Sequence, residues 1–108
     1  MGWGPRYYDR AGAPMSFLDW ARTLEDDTAR GVARTPLPDG GEVSTVWLGL
    51  DHRFRGDGPP LIFETLVFDA RGHAEAQWRY ATEAEARAGH ARVVQQRWEG
   101  APEVTHAP

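Results

Sequence analysis

Residues 43–68 decide the fold: VSTVWLGLDHRFRGDGPPLIFETLVF, two β-forming runs joined by a polar loop. Val, Thr, Trp, Leu, Ile and Phe dominate the runs, and these side chains suit a pleated, half-buried surface. The first run, Val43 to Asp51, alternates. Val46, Leu48 and Leu50 read as its apolar face, with Thr45, Trp47, Gly49 and Asp51 as a mixed face. The second run, Leu61 to Phe68, is apolar on both faces except at Glu64 and Thr65, which places it centrally in a sheet. The loop between them, Asp51 to Pro60, is longer than a tight hairpin requires. A polar loop held on a rigid hairpin is a common seat of function.

Upstream, Val32 to Leu37 reads as an edge strand, because Pro36 and Pro38 cannot donate to a ladder. Asp39-Gly40-Gly41 then signals a hairpin. Downstream, Asp69 to Gly72 is a turn, and Ala74 to Tyr80 alternates Ala74, Ala76, Trp78, Tyr80 against Glu75, Gln77, Arg79. Ser16 with Asp19 forms a capping box opening a helix striped by Phe17, Trp20, Ala21 and Leu24. That helix is expected to stop near Glu25, since the acids Glu25-Asp26-Asp27 oppose the dipole at a C-terminus. Thr82 and Glu85 form a second box. It opens a last helix whose expected inner face is Ala84, Ala88, Ala91 and Val94, anchored by Trp98. Gly100 and Pro102 end it. Residues 1–14 read as an extended arm with a turn, packing Trp3, Tyr7 and Tyr8 on the domain, and residues 101–108 as a flexible tail. Short connections favour antiparallel neighbours. The expected fold is therefore α+β: one domain over residues 1–100, a four-stranded antiparallel meander sheet with helices packed on one face.

A chain of 108 residues suits one core. The absence of Cys excludes disulfides, thiolate zinc sites and Cys nucleophiles. No apolar run approaches a membrane span, and the N-terminus lacks signal-peptide features. A cytoplasmic protein with no membrane partner is expected. The net charge is −4 and every one of the 12 basic residues is Arg. That acidic balance argues against binding nucleic-acid phosphates.

His52 beside Asp51, with Asp57 across the loop and Glu64 in the next strand, is raw material for acid–base chemistry. The structural alternative has the Asp residues capping loop amides and His52 bonded to a neighbouring acceptor. Glu64 interrupts an apolar strand and must be paired or solvated; Arg79 or Arg34 on a neighbouring strand is the expected partner. The histidines at 52, 73, 90 and 106 show no ligand spacing, so neither a metal nor another cofactor is expected. Arg53, Phe54 and Arg55 offer an apolar contact between two guanidinium groups. Trp47 and Arg79 would join them if Thr45, Trp47, Glu64, Leu66, Gln77 and Arg79 share an open sheet face. Alternatively, Tyr7 and Tyr8 cover Trp47.

The segment STVWLGLDHRF…GPPLIFETLVF, with the W-R-Y strand and T-E-A-E-A-x-A-G-H after it, resembles a group of small uncharacterised proteins of phages, prophages and actinobacterial genomes. It runs from Tyr8 to Val94. The resemblance implies a phage accessory role, such as host takeover or defence evasion, and implies no site. The leading expectation is a non-enzymatic module binding a protein partner through the 51–60 loop and the adjoining sheet face. One alternative is a small hydrolase or transferase using His52 with nearby carboxylates. Another is a self-associating accessory protein pairing through the Val32–Leu37 edge.

Overall fold

The computed structural model describes residues 7–51 and 58–99. A small hairpin, β1 (Tyr7–Tyr8) and β2 (Pro14–Met15), leads into helices α1 (Phe17–Leu24) and α2 (Asp27–Arg30). Four strands follow: β3 (Gly31–Pro36), β4 (Glu42–Trp47), β5 (Phe63–Phe68) and β6 (Ala74–Tyr80). Helix α3 (Glu83–Glu99) closes the described chain. The sheet order is β3-β4-β5-β6, antiparallel throughout. This is the α+β meander expected from the turns at 39–41 and 69–72, and α3 lies across all four strands.

Local chemistry sets the helix ends. The Asp19 N–H donates to the Ser16 hydroxyl at 3.1 Å, starting α1. The acidic run that stops α1 also starts α2: Glu25 closes one helix, and the Asp26 carboxylate accepts from Thr28 and Ala29 N–H at the head of the next. The second capping box is reciprocal. The Glu85 N–H donates to Thr82 Oγ1 at 3.1 Å, and Glu85 Oε1 accepts the Thr82 N–H at 3.3 Å.

Register defines the buried face. Val43 lies opposite Val67, Thr45 opposite Thr65 and Trp47 opposite Phe63, and all six are buried. Leu37, Val43, Val67 and Val93 form one apolar cluster, and Trp47, Ile62, Phe63 and Ala86 a second. Met15, Trp20 and Leu24 bring the N-terminal elements onto the second cluster.

This inverts the expected faces of β4. Val46 is only half-buried, whereas Trp47 is 1% exposed. The strand ends at Trp47 rather than Asp51, because the chain turns at Gly49, whose φ is +72°. Leu48 and Gly49 both donate to the Ile62 carbonyl, at 2.7 and 3.3 Å. Two residues sharing one acceptor break the alternation, so Leu48 and Leu50 do not extend the face of Val46. The next strand correspondingly begins at Phe63, not Leu61. The inner face of α3 is also displaced from expectation. It buries Ala86, Gly89, His90 and Val93, while Ala88 and Ala91 face solvent and Trp98 is 53% exposed. Gly89 decides this, since a Cβ there would lie 2.3 Å from the Tyr80 hydroxyl; the helix sits where only glycine fits over that ring. The tail at 101–108 and Trp3 lie outside the described residues.

Candidate functional site

Of the acid–base candidates, Asp51 and Glu64 lie among the described residues, and each has a structural partner. The Asp51 carboxylate accepts the Leu61 N–H at 3.0 Å and so bridges the two ends of the loop. Glu64 is 8% exposed and accepts from Arg79 Nε at 3.2 Å, directly across the strand pair. Arg34 pairs with Glu42 instead, at 2.9 Å. His52, Arg53, Phe54, Arg55 and Asp57 lie outside the described residues. No group of three or more His, Cys, Asp or Glu able to hold a metal occurs among the described residues, and none of the helices described is long and apolar enough to cross a membrane.

Trp47 leaves the expected binding surface altogether. Its side chain points toward α3, and its indole N–H donates to the Tyr8 carbonyl at 3.0 Å. The N-terminal arm covers it, and the Tyr7 ring packs instead on Phe17 and Trp20. Thr45 moves to the same buried side. The outer face keeps Glu64, Leu66, Gln77 and Arg79, with Ser44 and Val46 alongside them in register.

Reading the sequence missed a buried polar network beneath α3, between the two apolar clusters. His90 Nε2 meets the Thr35 hydroxyl at 2.9 Å, and His90 Nδ1 meets the Thr45 hydroxyl at 2.7 Å. Thr45 in turn contacts the Thr65 hydroxyl at 2.6 Å. A neutral imidazole donates through one nitrogen and accepts through the other, so either tautomer is satisfied here. Hydroxyls supply both partners and no carboxylate does. Burial therefore pushes the imidazole below its ordinary value of 6.5. The only available signal was three threonines at inward strand positions, which propensity alone also explains.

A second polar centre holds the N-terminal hairpin to the rest. Arg10 donates to both oxygens of Glu83 at 3.0 Å and to the carbonyls of Ala29 and Gly31 at 3.0 Å. Arg10, followed by Arg87, holds the Glu83 carboxyl down at about 2. The two centres predict a two-step acid response. The unfolded chain binds a proton at His90 that the folded chain resists, so stability falls as pH drops below 6.5. Glu83 adds a further loss as pH falls from 4.5 toward about 2. Urea melts from pH 8 to 3 check this. His90→Gln should flatten the upper step and leave the lower one.

The two edges of the sheet differ. At β3, Pro36 has no N–H, and Val32 is the extra residue between the paired Gly31 and Ala33. The Gly31 and Val32 carbonyls already accept from Arg10 and Arg87, at 3.0 and 3.5 Å. Proline, a bulge and covering side chains are the usual ways to blunt an edge. β6 has its own bulge at Glu75, the extra residue between the paired Ala74 and Ala76, so the expected alternation from Ala74 breaks there and the Glu75 carboxylate accepts from Arg97 of α3 at 2.8 Å. Among the described residues, neither proline nor bulge guards the stretch Ala76 to Tyr80 beyond it, which is largely exposed. The Tyr80 carbonyl accepts the Ile62 N–H at 3.0 Å, so Tyr80 turns its peptide groups toward β5. Strand alternation then gives Trp78 and Ala76 the same direction and aims those of Gln77 and Arg79 outward. Among the described residues, no strand pairs with that side. No family model, curated protein or solved structure matches the chain.

Proposed function

We propose that this chain is a non-enzymatic protein-binding module that takes a partner's strand onto the open edge of β6. The observation behind this reading is the contrast between the edges: β3 is blunted at several points, whereas β6, past its bulge at Glu75, is unpaired among the described residues over Ala76 to Tyr80. Outward N–H and C=O groups on an exposed edge are a template for strand addition. Main-chain bonds supply affinity in that mode, and flanking side chains such as Arg79 supply selectivity. The structural employment of Asp51 and Glu64 supports a binding role over a hydrolase or transferase using those carboxylates. A cytoplasmic setting rests on the Cys-free composition. Action on a host protein as a phage or prophage accessory factor rests on the sequence resemblance.

The test is Gln77→Pro, which removes one outward N–H at a position where an edge strand tolerates proline. A tagged wild-type chain should retain a protein partner, whether another polypeptide or an untagged copy. The variant should release it while still melting cooperatively. Retention by Gln77→Pro at wild-type affinity would refute binding at this edge.

A further inference from the structure

We infer that the strand received at β6 is acidic, setting one carboxylate against Arg92 of α3 and the next against Arg79. This inference rests on the strand-addition reading above and adds the partner's chemistry. A cleft of about 420 Å³ opens beside the end of β6, lined by Leu61, Tyr80, Ala81, Glu85, Ala88 and Arg92, and Arg79 also borders it. Positions 85, 88 and 92 share one face of a helix. Helix α3 therefore supplies one wall of the cleft and the end of β6 another. Long helical side chains lean toward the helix N-terminus, which carries Arg92 over Ala88 and along that wall.

Charge selects the occupant. Around this edge Arg79 bonds Glu64 at 3.2 Å, Arg87 bonds Glu83 at 2.8 Å and Arg97 bonds Glu75 at 2.8 Å. The Arg92 guanidinium has no such partner among the described residues. Glu85 is the acid of the cleft, but its Oε1 accepts the Ala81 and Thr82 N–H groups at 3.2 and 3.3 Å. A strand laid along β6 would cover Arg92 and take its charge out of water, and a covered charge needs an opposite one. The register supplies the place for it. Tyr80 turns toward α3, its ring beneath Gly89. Residues side by side on neighbouring strands share a face, so the incoming residue beside Tyr80 enters the cleft that Arg92 lines. Its neighbour in sequence lies beside Arg79 on the opposite face. Glu64 engages only the Nε of Arg79, which leaves the terminal nitrogens to meet a second carboxylate. The bulge at Glu75 lies at the other end of the strand and disturbs neither position.

Selection of a displayed library of random linear peptides on the folded protein is the experiment. Wild-type protein should enrich peptides with adjacent Asp or Glu residues flanked by β-forming ones. Made synthetically and labelled, these peptides should bind Arg92→Glu at least about tenfold more weakly and lose affinity as salt rises. Arg22→Glu makes the same charge change at an exposed position of α1 and should leave binding unchanged. Gln77→Pro should bind none of them. The Arg92→Glu readout stands even if Gln77→Pro fails to fold, because Arg92 is exposed. Enriched peptides without an acidic preference that Gln77→Pro releases would overturn the acidic partner and leave strand addition standing. Acidic peptides that Gln77→Pro retains would place carboxylates in the cleft without a strand, overturning both. A library from which the wild-type chain enriches nothing, or binding indifferent to Arg92→Glu, would overturn the inference.

Discussion

Gly49→Ala is expected to cost about 3 kcal/mol of folding stability and to lower the melting temperature by about 15 °C. Two effects add. Gly49 sits at φ +72°, where any side chain is strained by about 1–2 kcal/mol. A Cβ there would also lie 2.3 Å from Trp47 Cζ2 and 2.6 Å from Trp20 Cδ1. Neither ring can swing aside easily. The Trp47 indole is held by the Tyr8 carbonyl, and the Trp20 indole donates to the Leu48 carbonyl at 2.9 Å. The backbone at Gly49 also carries the arm, since its carbonyl accepts the Tyr8 N–H at 2.8 Å. Denaturant melts of the variant measure the loss. A change below about 1 kcal/mol would mean that the turn does not constrain the two rings.

Trp47→Ala should cost about 4 kcal/mol, within the range for removing a buried Trp side chain. The indole is 1% exposed, packs among Ile62, Phe63 and Ala86, and loses its bond to Tyr8 when removed. An interface tryptophan would behave in the opposite way, with affinity lost and melting unchanged. Thermal melting of this variant therefore discriminates between the buried position and the exposed one that alternation from Val46 would give. Unaltered melting would contradict the burial.

The architecture was legible because its signals are local. Capping boxes at Ser16 and Thr82, the Gly-rich turns and the prolines flanking the edge strand each act within a few residues. Short connections then left the meander as the simplest pairing. The face of β4 was not legible. In VSTVWLGL both alternating sets carry apolar residues, so hydrophobicity alone does not choose between Val46 and Trp47. The choice was made by α3 and by Thr45, whose hydroxyl contacts Thr65 and His90, 20 and 45 residues away. The inner face of α3 failed for a related reason. Alanines suggested close approach, but the closest approach falls at Gly89 and the buried polar group is His90. Glu64 was legible as a paired charge because an ion inside an apolar strand admits few other solutions. The open edge was only half legible. The alternation read over Ala74 to Tyr80 holds only from Ala76 onward, because Glu75 is bulged toward Arg97 of α3, and the strand's place at the edge follows from sheet order.

Hydrogen exchange at single amides of β6 tests strand addition most directly. Gln77 and Arg79 amides should exchange rapidly in dilute protein and become protected as concentration rises or a partner is added. Trp78, bonded toward β5, should be protected throughout, and the amides of β3 should not respond. Exchange at Gln77 and Arg79 that stays fast under every condition in which the chain binds protein would contradict the account.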